Sequence, residues 1–178
     1  MSNLYLSAIC LDCGDTLIDE ATEIKGQGDV TLRAELIPGA AETVRELKRR
    51  GYPLALVADG PSATFVNNLA PHGLYDLFDT YAISEQVGVT KPDARMFIKA
   101  LNALNIHADD YGRVLMVGNH LSRDIAGANR LGLLSVWLNW SPRRSKEAAN
   151  EWERPDYVIH SPWELIELVD RLESQTAG

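Results

Sequence analysis

The residues best suited to chemistry in this 178-residue chain come directly after short apolar runs. LYLSAICL (4–11) leads into Asp12-Cys13-Gly14-Asp15-Thr16-Leu17, and YPLALVA (52–58) leads into Asp59-Gly60. After a third run come Lys91-Pro92-Asp93; RVLMVG (113–118) leads into Asn119 and His120, with Asp124 five residues beyond Asn119. Carboxylates from two strand ends and one lysine, meeting in one crevice, suit two kinds of chemistry. Oxygen ligands hold Mg²⁺, which ordinarily takes one or two carboxylates plus substrate phosphate. A carboxylate also attacks phosphorus and forms an aspartyl-phosphate. Aspartate is an ordinary turn and cap residue as well. What sets this group apart is its recurrence at successive strand ends.

Those ends need a scaffold, and the apolar periodicity supplies one. Residues 39–50 predict a helix with Ala40, Val44 and Leu47 on one face and Gly51 as its stop. Further helices are expected over 62–69, from Pro92-Asp93 through Leu104, and over 122–131, where Gly132 closes the last. Strands are expected at 4–11, 52–58, 80–84, 113–118, 134–138 and 156–159. Ser161-Pro162-Trp163-Glu164 reads as a capping box that opens a final helix bearing Leu165, Ile166, Val169 and Leu172. Residues 18–37 and 139–154 read as irregular. Strand–helix alternation with short links predicts an α/β fold, a Rossmann-like three-layer αβα sandwich with a mostly parallel sheet. Ligands on such a sheet sit beyond the carboxyl ends of the strands, near the switch in strand order.

Composition narrows the class. The length suits one domain, and 46% hydrophobic with 24% charged residues is ordinary for a globular core. Lys and Arg number 17 against 25 Asp and Glu, and a net charge of −8 is a poor footprint for nucleic acid. No apolar run approaches the ~20 residues of a membrane span, and Met1-Ser2-Asn3-Leu4 lacks the look of a secretory leader. With Cys10 and Cys13 as the two cysteines, a reducing cytoplasmic setting is expected. Their CxxC spacing lacks the second ligand pair of a zinc site and does not open a helix as a redox pair does. The four tryptophans, Trp137, Trp140, Trp152 and Trp163, are expected to pack rather than to stack bases. The basic stretch 140–146 follows a strand on the functional edge. It reads first as a solvated loop, with an anionic substrate or a neighbouring subunit as its other uses.

The strand-end motifs resemble those of the haloacid-dehalogenase-like hydrolase superfamily, in the right order from about Leu4 to Leu138. DCGDTL is similar to the nucleophile motif DxDGTL, VGVTKPDARMF to the lysine motif, and VGNHLSRDIAGANRLGL to the acidic metal motif. PGAAETVRELKRRGYPLALVADG is similar to the helix and strand before the second motif. The resemblance implies Asp12 as nucleophile and metal ligand, the Gly14 carbonyl as a second ligand, and Thr16 as loop support. It implies that Lys91 neutralises charge on the nucleophile and phosphoryl group, and that Asp124 completes the Mg²⁺ site with Asn119. It further implies phosphoryl contacts at Ala58, Asp59 and Gly60, chiefly through backbone amides.

Three positions depart from the family pattern. Gly14 stands where the usual general acid would be, a group worth about 10²–10⁴ in rate. Ala58 replaces the Ser or Thr of the second motif, and Asn119 replaces the first acid of the metal motif. Asp15 reads as a loop brace and His120 as an exposed loop residue. With only 18–37 available as a short flap, a single capless domain over 1–178 is expected. An open site of this kind takes large substrates, borrows a lid from a second subunit in a homo-oligomer, or is covered by its own loop. The leading expectation is a Mg²⁺-dependent phosphatase of a small phosphorylated metabolite, acting through an Asp12 aspartyl-phosphate. The alternatives are a catalytically impaired binding or regulatory protein and, further off, a dehalogenase or phosphonatase. A phospho-receiver domain is set aside because its acceptor aspartate follows the third strand.

Overall fold

The computed structural model describes residues 4–175; Met1-Ser2-Asn3, part of the expected leaderless start, lie outside the described residues. Six strands form one sheet: β1 (Ala8–Leu11), β4 (Leu54–Ala58), β5 (Thr80–Ile83), β6 (Val114–Gly118), β7 (Leu134–Leu138) and β8 (Tyr157–Ile159). Their order is β5-β4-β1-β6-β7-β8, and every pairing is parallel. β1, β4 and β6 are buried at each position. That is why AICL, LALVA and VLMVG are continuously apolar: a strand covered on both faces has no wet side to mark with polar residues.

One face is covered by α1 (Ala40–Arg49), α2 (Ser62–Leu69) and α6 (Pro162–Gln175), which bring Val44, Leu47, Phe65, Leu165 and Val169 to the core. The other is covered by α4 (Ala94–Ala103) and α5 (Ala126–Leu131), through Met96, Phe97, Leu101 and Ala128. α3 (Ser84–Val87) is a single turn. Gly51, at φ 89°, stops α1, and the Asp93 side chain accepts from the Arg95 N–H to start α4. This is the expected three-layer αβα sandwich. β1 is the switch point, with β4 on one side and β6 on the other, so the crevice at its carboxyl end is the expected ligand site.

The structure corrects four details. Residues 18–37 are not irregular: β2 (Ile18–Lys25) and β3 (Thr31–Leu36) form an antiparallel hairpin. Its register shifts, and only three of its fourteen strand residues are buried, so no period-2 pattern marks it. The first strand is shorter than LYLSAICL because Tyr5 and Leu6 give their N–H groups to the Glu173 carboxylate at 2.7 and 3.1 Å. The expected helix over 122–131 begins as a π-type turn, Leu121–Ile125, in which the N–H groups of Arg123, Asp124 and Ile125 converge on the His120 carbonyl. At α6, Glu164 accepts from the His160 N–H at 3.1 Å and from the Ser161 hydroxyl at 3.2 Å. The cap is therefore carried by the glutamate rather than by reciprocal bonds.

Candidate active site

Asp12 is the first residue past β1, held there by its N–H bond to the Val117 carbonyl of β6 at 2.9 Å. Lys91 approaches from the segment between α3 and α4. Its ammonium donates to Asp12 Oδ1 at 2.7 Å, to Asp124 Oδ1 at 2.6 Å and to the Val57 carbonyl at 2.8 Å. Asp124 Oδ2 accepts from the His120 N–H at 3.0 Å. Lys91 and Asp124 are buried, and Asp12 nearly so. The site floor is thus two carboxylates sharing one ammonium in a low-dielectric setting.

The electrostatics follow from that ratio. Burial, then the neighbouring Asp124 charge, push the Asp12 carboxyl up to about 6 against the pull of Lys91. For Lys91, burial disfavours the charged form, but Asp12, Asp124 and Asp59 outweigh it and raise its pKa. The lysine stays charged, and the carboxylates compete for it. Gly118 is part of this arrangement: a Cβ there would lie 2.3 Å from Asp124 Cγ. The strand must end in glycine for Asp124 to fold back across it.

The other expected residues are placed as follows. Asp59 Oδ1 accepts from the Lys91 N–H at 3.0 Å, so Asp59 anchors the lysine segment. Its Oδ2 has no hydrogen bond and faces Arg123 at 3.6 Å, and burial raises its pKa. The Gly60 N–H donates to Ser84 Oγ at 2.9 Å, and Ala58 is packed in the core. Thr16 is buried beneath the loop with its hydroxyl unpartnered. In that loop the Cys13 carbonyl accepts from the N–H groups of Thr16, Leu17 and Ile18. Asp15, at φ 48° and fully buried, accepts from the Glu20 N–H and braces the turn into β2. Asn119 is buried, with Nδ2 unpartnered, and its carbonyl accepts from Trp137 Nε1 at 3.1 Å. Cys10 and Cys13 are free, buried thiols; burial pushes the first up to about 12 and the second well above its usual value. Trp137 and Trp140 pack as expected, whereas Trp152 and Trp163 are exposed.

A cavity of about 40 Å³ lies over Asp12, Lys91 and Asp124, lined also by Gly14, Glu20, Asp59, Asn119, His120, Arg123 and Arg144. A larger cavity of about 510 Å³, lined by Trp152 and Arg154, opens beside Leu134 at the amino end of β7, across the sheet from this chemistry. Glu20 and Arg123 of the small cavity are additions to the sequence reading, whereas Arg144 belongs to the basic stretch already set beside the site. Glu20, on β2, lays its carboxylate where a side chain at position 14 would begin: a Cβ on Gly14 would lie 2.0 Å from Glu20 Oε1. The departure at Gly14 was its only signal in the sequence. Arg144 donates to Glu20 Oε2, and Arg143 donates to Asp15 and, at 2.8 Å, to Asp19. The 140–146 stretch is therefore fastened to the flap by ion pairs rather than solvated. Burial raises the Glu20 pKa, with Arg144 opposing; burial, then Arg123 and Arg144, lower that of His120.

Comparison with known proteins identifies the family. A family model for haloacid dehalogenase-like hydrolases matches residues 11–132. The chain is 31% identical over 135 residues to a glyceraldehyde 3-phosphate phosphatase of Methanopyrus kandleri, covering 76% of this chain and 57% of that protein. It is 35% identical over 133 residues to a pyrimidine 5'-nucleotidase of Escherichia coli, covering 75% and 56%. The crystal structure of a HAD phosphatase from Thermococcus onnurineus superposes with a TM-score of 0.66 at 29% identity, covering 76% of this chain and 59% of that one. The chain spans little more than half the length of the curated relatives it matches. With the matched segment carrying Asp12, Lys91 and Asp124 at the ends of a parallel sheet, the chain belongs to the haloacid dehalogenase-like hydrolases.

Proposed function

We propose that this protein is a Mg²⁺-dependent phosphatase of small phosphorylated metabolites, working through an aspartyl-phosphate on Asp12. The observation that carries the reading is the buried Asp12–Lys91–Asp124 cluster opening into a cavity at the switch point of the sheet. The relatives named as phosphatases of a triose phosphate and of nucleotides support it. Lys91 holds Asp12 by Oδ1 and so aims the carboxylate. The attacking oxygen forms the new bond to phosphorus as the ester P–O bond breaks, and the electron pair leaves with the ester oxygen. Water then attacks phosphorus, the Asp12–phosphoryl bond breaks with its electron pair returning to the carboxylate, and the water's proton passes to solvent. Lys91 offsets negative charge throughout, and Asp59 keeps the lysine segment in place.

The donors present fit a hard cation. Asp12, Asp124, the Asn119 side-chain carbonyl and the Gly14 main-chain carbonyl all offer oxygen, and Asp12, Asn119 and Asp124 are buried in the lining of the one small cavity. Bound there, Mg²⁺ supplies positive charge to the phosphoryl oxygens. The reading includes a single domain, with the β2–β3 flap and the 140–146 loop in place of a cap, in a cytoplasmic setting. No described helix is long and apolar enough to cross a membrane. Because Gly14 brings no acid, aryl and acyl phosphates, whose leaving groups need no proton, should react best. The test is Mg²⁺-dependent hydrolysis of p-nitrophenyl phosphate: Asp12→Asn should lower kcat by at least about 10³, and undiminished turnover in that variant overturns the assignment.

A further inference from the structure

The entrance to the site is narrowed from within. Glu20 lies over Gly14 with one oxygen and binds the Arg144 guanidinium with the other. The remaining cavity, about 40 Å³, has room for only about three waters, too little for a phosphate ester. Glu20 must therefore withdraw for a substrate to reach Asp12. Its departure leaves Arg144 at the mouth without its main partner. The Arg144 Nε is already short of one: it is buried with no hydrogen-bond acceptor, and its nearest carboxylate oxygen, Asp15 Oδ2, stands at 3.7 Å. A guanidinium so placed offers a planar fork to an incoming anion. The cavity lining holds four carboxylates against three cations, so an anionic substrate gains most by taking Arg144 over from Glu20.

We propose that Arg144 is a specificity residue that binds a second anionic group, a carboxylate or phosphate, on the phosphorylated substrate, and that Glu20 holds that position in the substrate-free protein. The floor cation Lys91 lies beside Asp12, whereas Arg144 reaches the cavity across Glu20 from outside. It meets the part of the substrate that projects away from the reacting phosphorus. The Glu20 carboxylate is in effect an internal copy of the group to be recognised. This inference rests on the phosphatase reading above.

The test compares substrate pairs that differ by one anionic group: 3-phosphoglycerate with glycerol 3-phosphate for a carboxylate, and fructose 1,6-bisphosphate with fructose 6-phosphate for a phosphate. The wild-type protein should prefer the more anionic member of at least one pair by roughly 10- to 100-fold in kcat/KM, as expected for a charged hydrogen bond. Arg144→Gln should bring that ratio close to one, through KM rather than kcat, and Arg144→Lys should keep part of it. Glu20→Gln, which weakens the internal competitor, should lower KM for the preferred substrate several-fold. A wild-type protein without preference in either pair, or a ratio unchanged in Arg144→Gln, overturns the proposal. Calorimetric binding of the same pairs to Asp12→Asn protein, with and without Arg144→Gln, reads the same ratio without turnover. Failure of the phosphatase reading, seen as turnover indifferent to Asp12→Asn, is thereby separate from failure of Arg144 recognition.

Discussion

The floor of the site and its rim are both built from paired charges, yet the two pairings differ in kind. On the floor, Lys91 and Asp124 are buried, and the ammonium is committed to two carboxylates and a carbonyl. On the rim, Arg143 and Arg144 meet Asp19 and Glu20 with side chains between 25% and 35% exposed. Taking charges out of water is costly, so a buried cluster persists only while every member keeps its partners. A half-wet pair contributes little and exchanges partners readily. The floor is thus suited to fixed geometry, and the rim to opening. The following tests set one region against the other.

The sharpest is removal of the shared cation. Lys91→Met leaves Asp12 and Asp124 buried without it and should destabilise the fold by about 3–5 kcal/mol, read from urea unfolding. If Lys91→Met instead unfolds like the wild type, the floor is not an ionic lock and the contrast fails. Acid titration probes the same cluster without a mutation at the lysine. Asp12 has its carboxyl raised from 3.8 to about 6, so between those values the folded state binds more protons than the unfolded one. Stability of metal-free protein should fall as pH rises from about 4 to about 6, by on the order of 3 kcal/mol from this group. The group destabilises the fold above pH 6 and ceases to do so below pH 4. Glu20 and Asp59 are raised as well, chiefly by burial, so the measurement is the difference between wild-type and Asp12→Asn stability curves, which removes their burial contributions and leaves the part that depends on the Asp12 charge.

Gly118→Ala tests whether the floor is held by shape as well as by charge. Its new Cβ would collide with the Asp124 carboxyl carbon at 2.3 Å. Overpacking of this kind costs about 1–3 kcal/mol. Because the atom displaced belongs to the lysine cluster, hydrolysis of p-nitrophenyl phosphate should fall by more than the stability loss alone explains. Equal losses in both would mean that Asp124 can move without consequence.

The same division explains what the sequence could show. Asp12 and Asp124 follow β1 and β6, strands buried on both faces that announce themselves as apolar runs, whereas Lys91 comes from the segment between α3 and α4 beyond the half-buried edge strand β5 and is marked by its likeness to the lysine motif. The flap has no such marker. In β2 only Ile18 is buried, and in β3 only Thr31 and Ala34, so the hairpin leaves no alternation to read. Glu20 and Arg144 are 124 residues apart. Their meeting depends on how two surface segments cross, which neither segment encodes locally. The second-strand end shows a different limit. The sequence puts Asp59-Gly60 at a strand end, but only the structure shows that the Gly60 amide is committed to Ser84 and that Asp59 anchors Lys91.

The smallest effects should come from the rim, and Arg143 grades them within a single residue. It pairs with Asp15, which is fully buried, and with Asp19, which is partly exposed. Arg143→Gln withdraws the cation from the buried carboxylate, which keeps the Glu20 N–H as a donor, and should cost about 1–2 kcal/mol. Asp19→Ala removes only the solvent-screened partner and should change stability by less than about 0.5 kcal/mol, a difference that fades in high salt. Should Asp19→Ala cost as much as Arg143→Gln, burial would not be what separates strong pairs from weak ones here. The rim would then be as rigid as the floor, and the entrance would need another way to open.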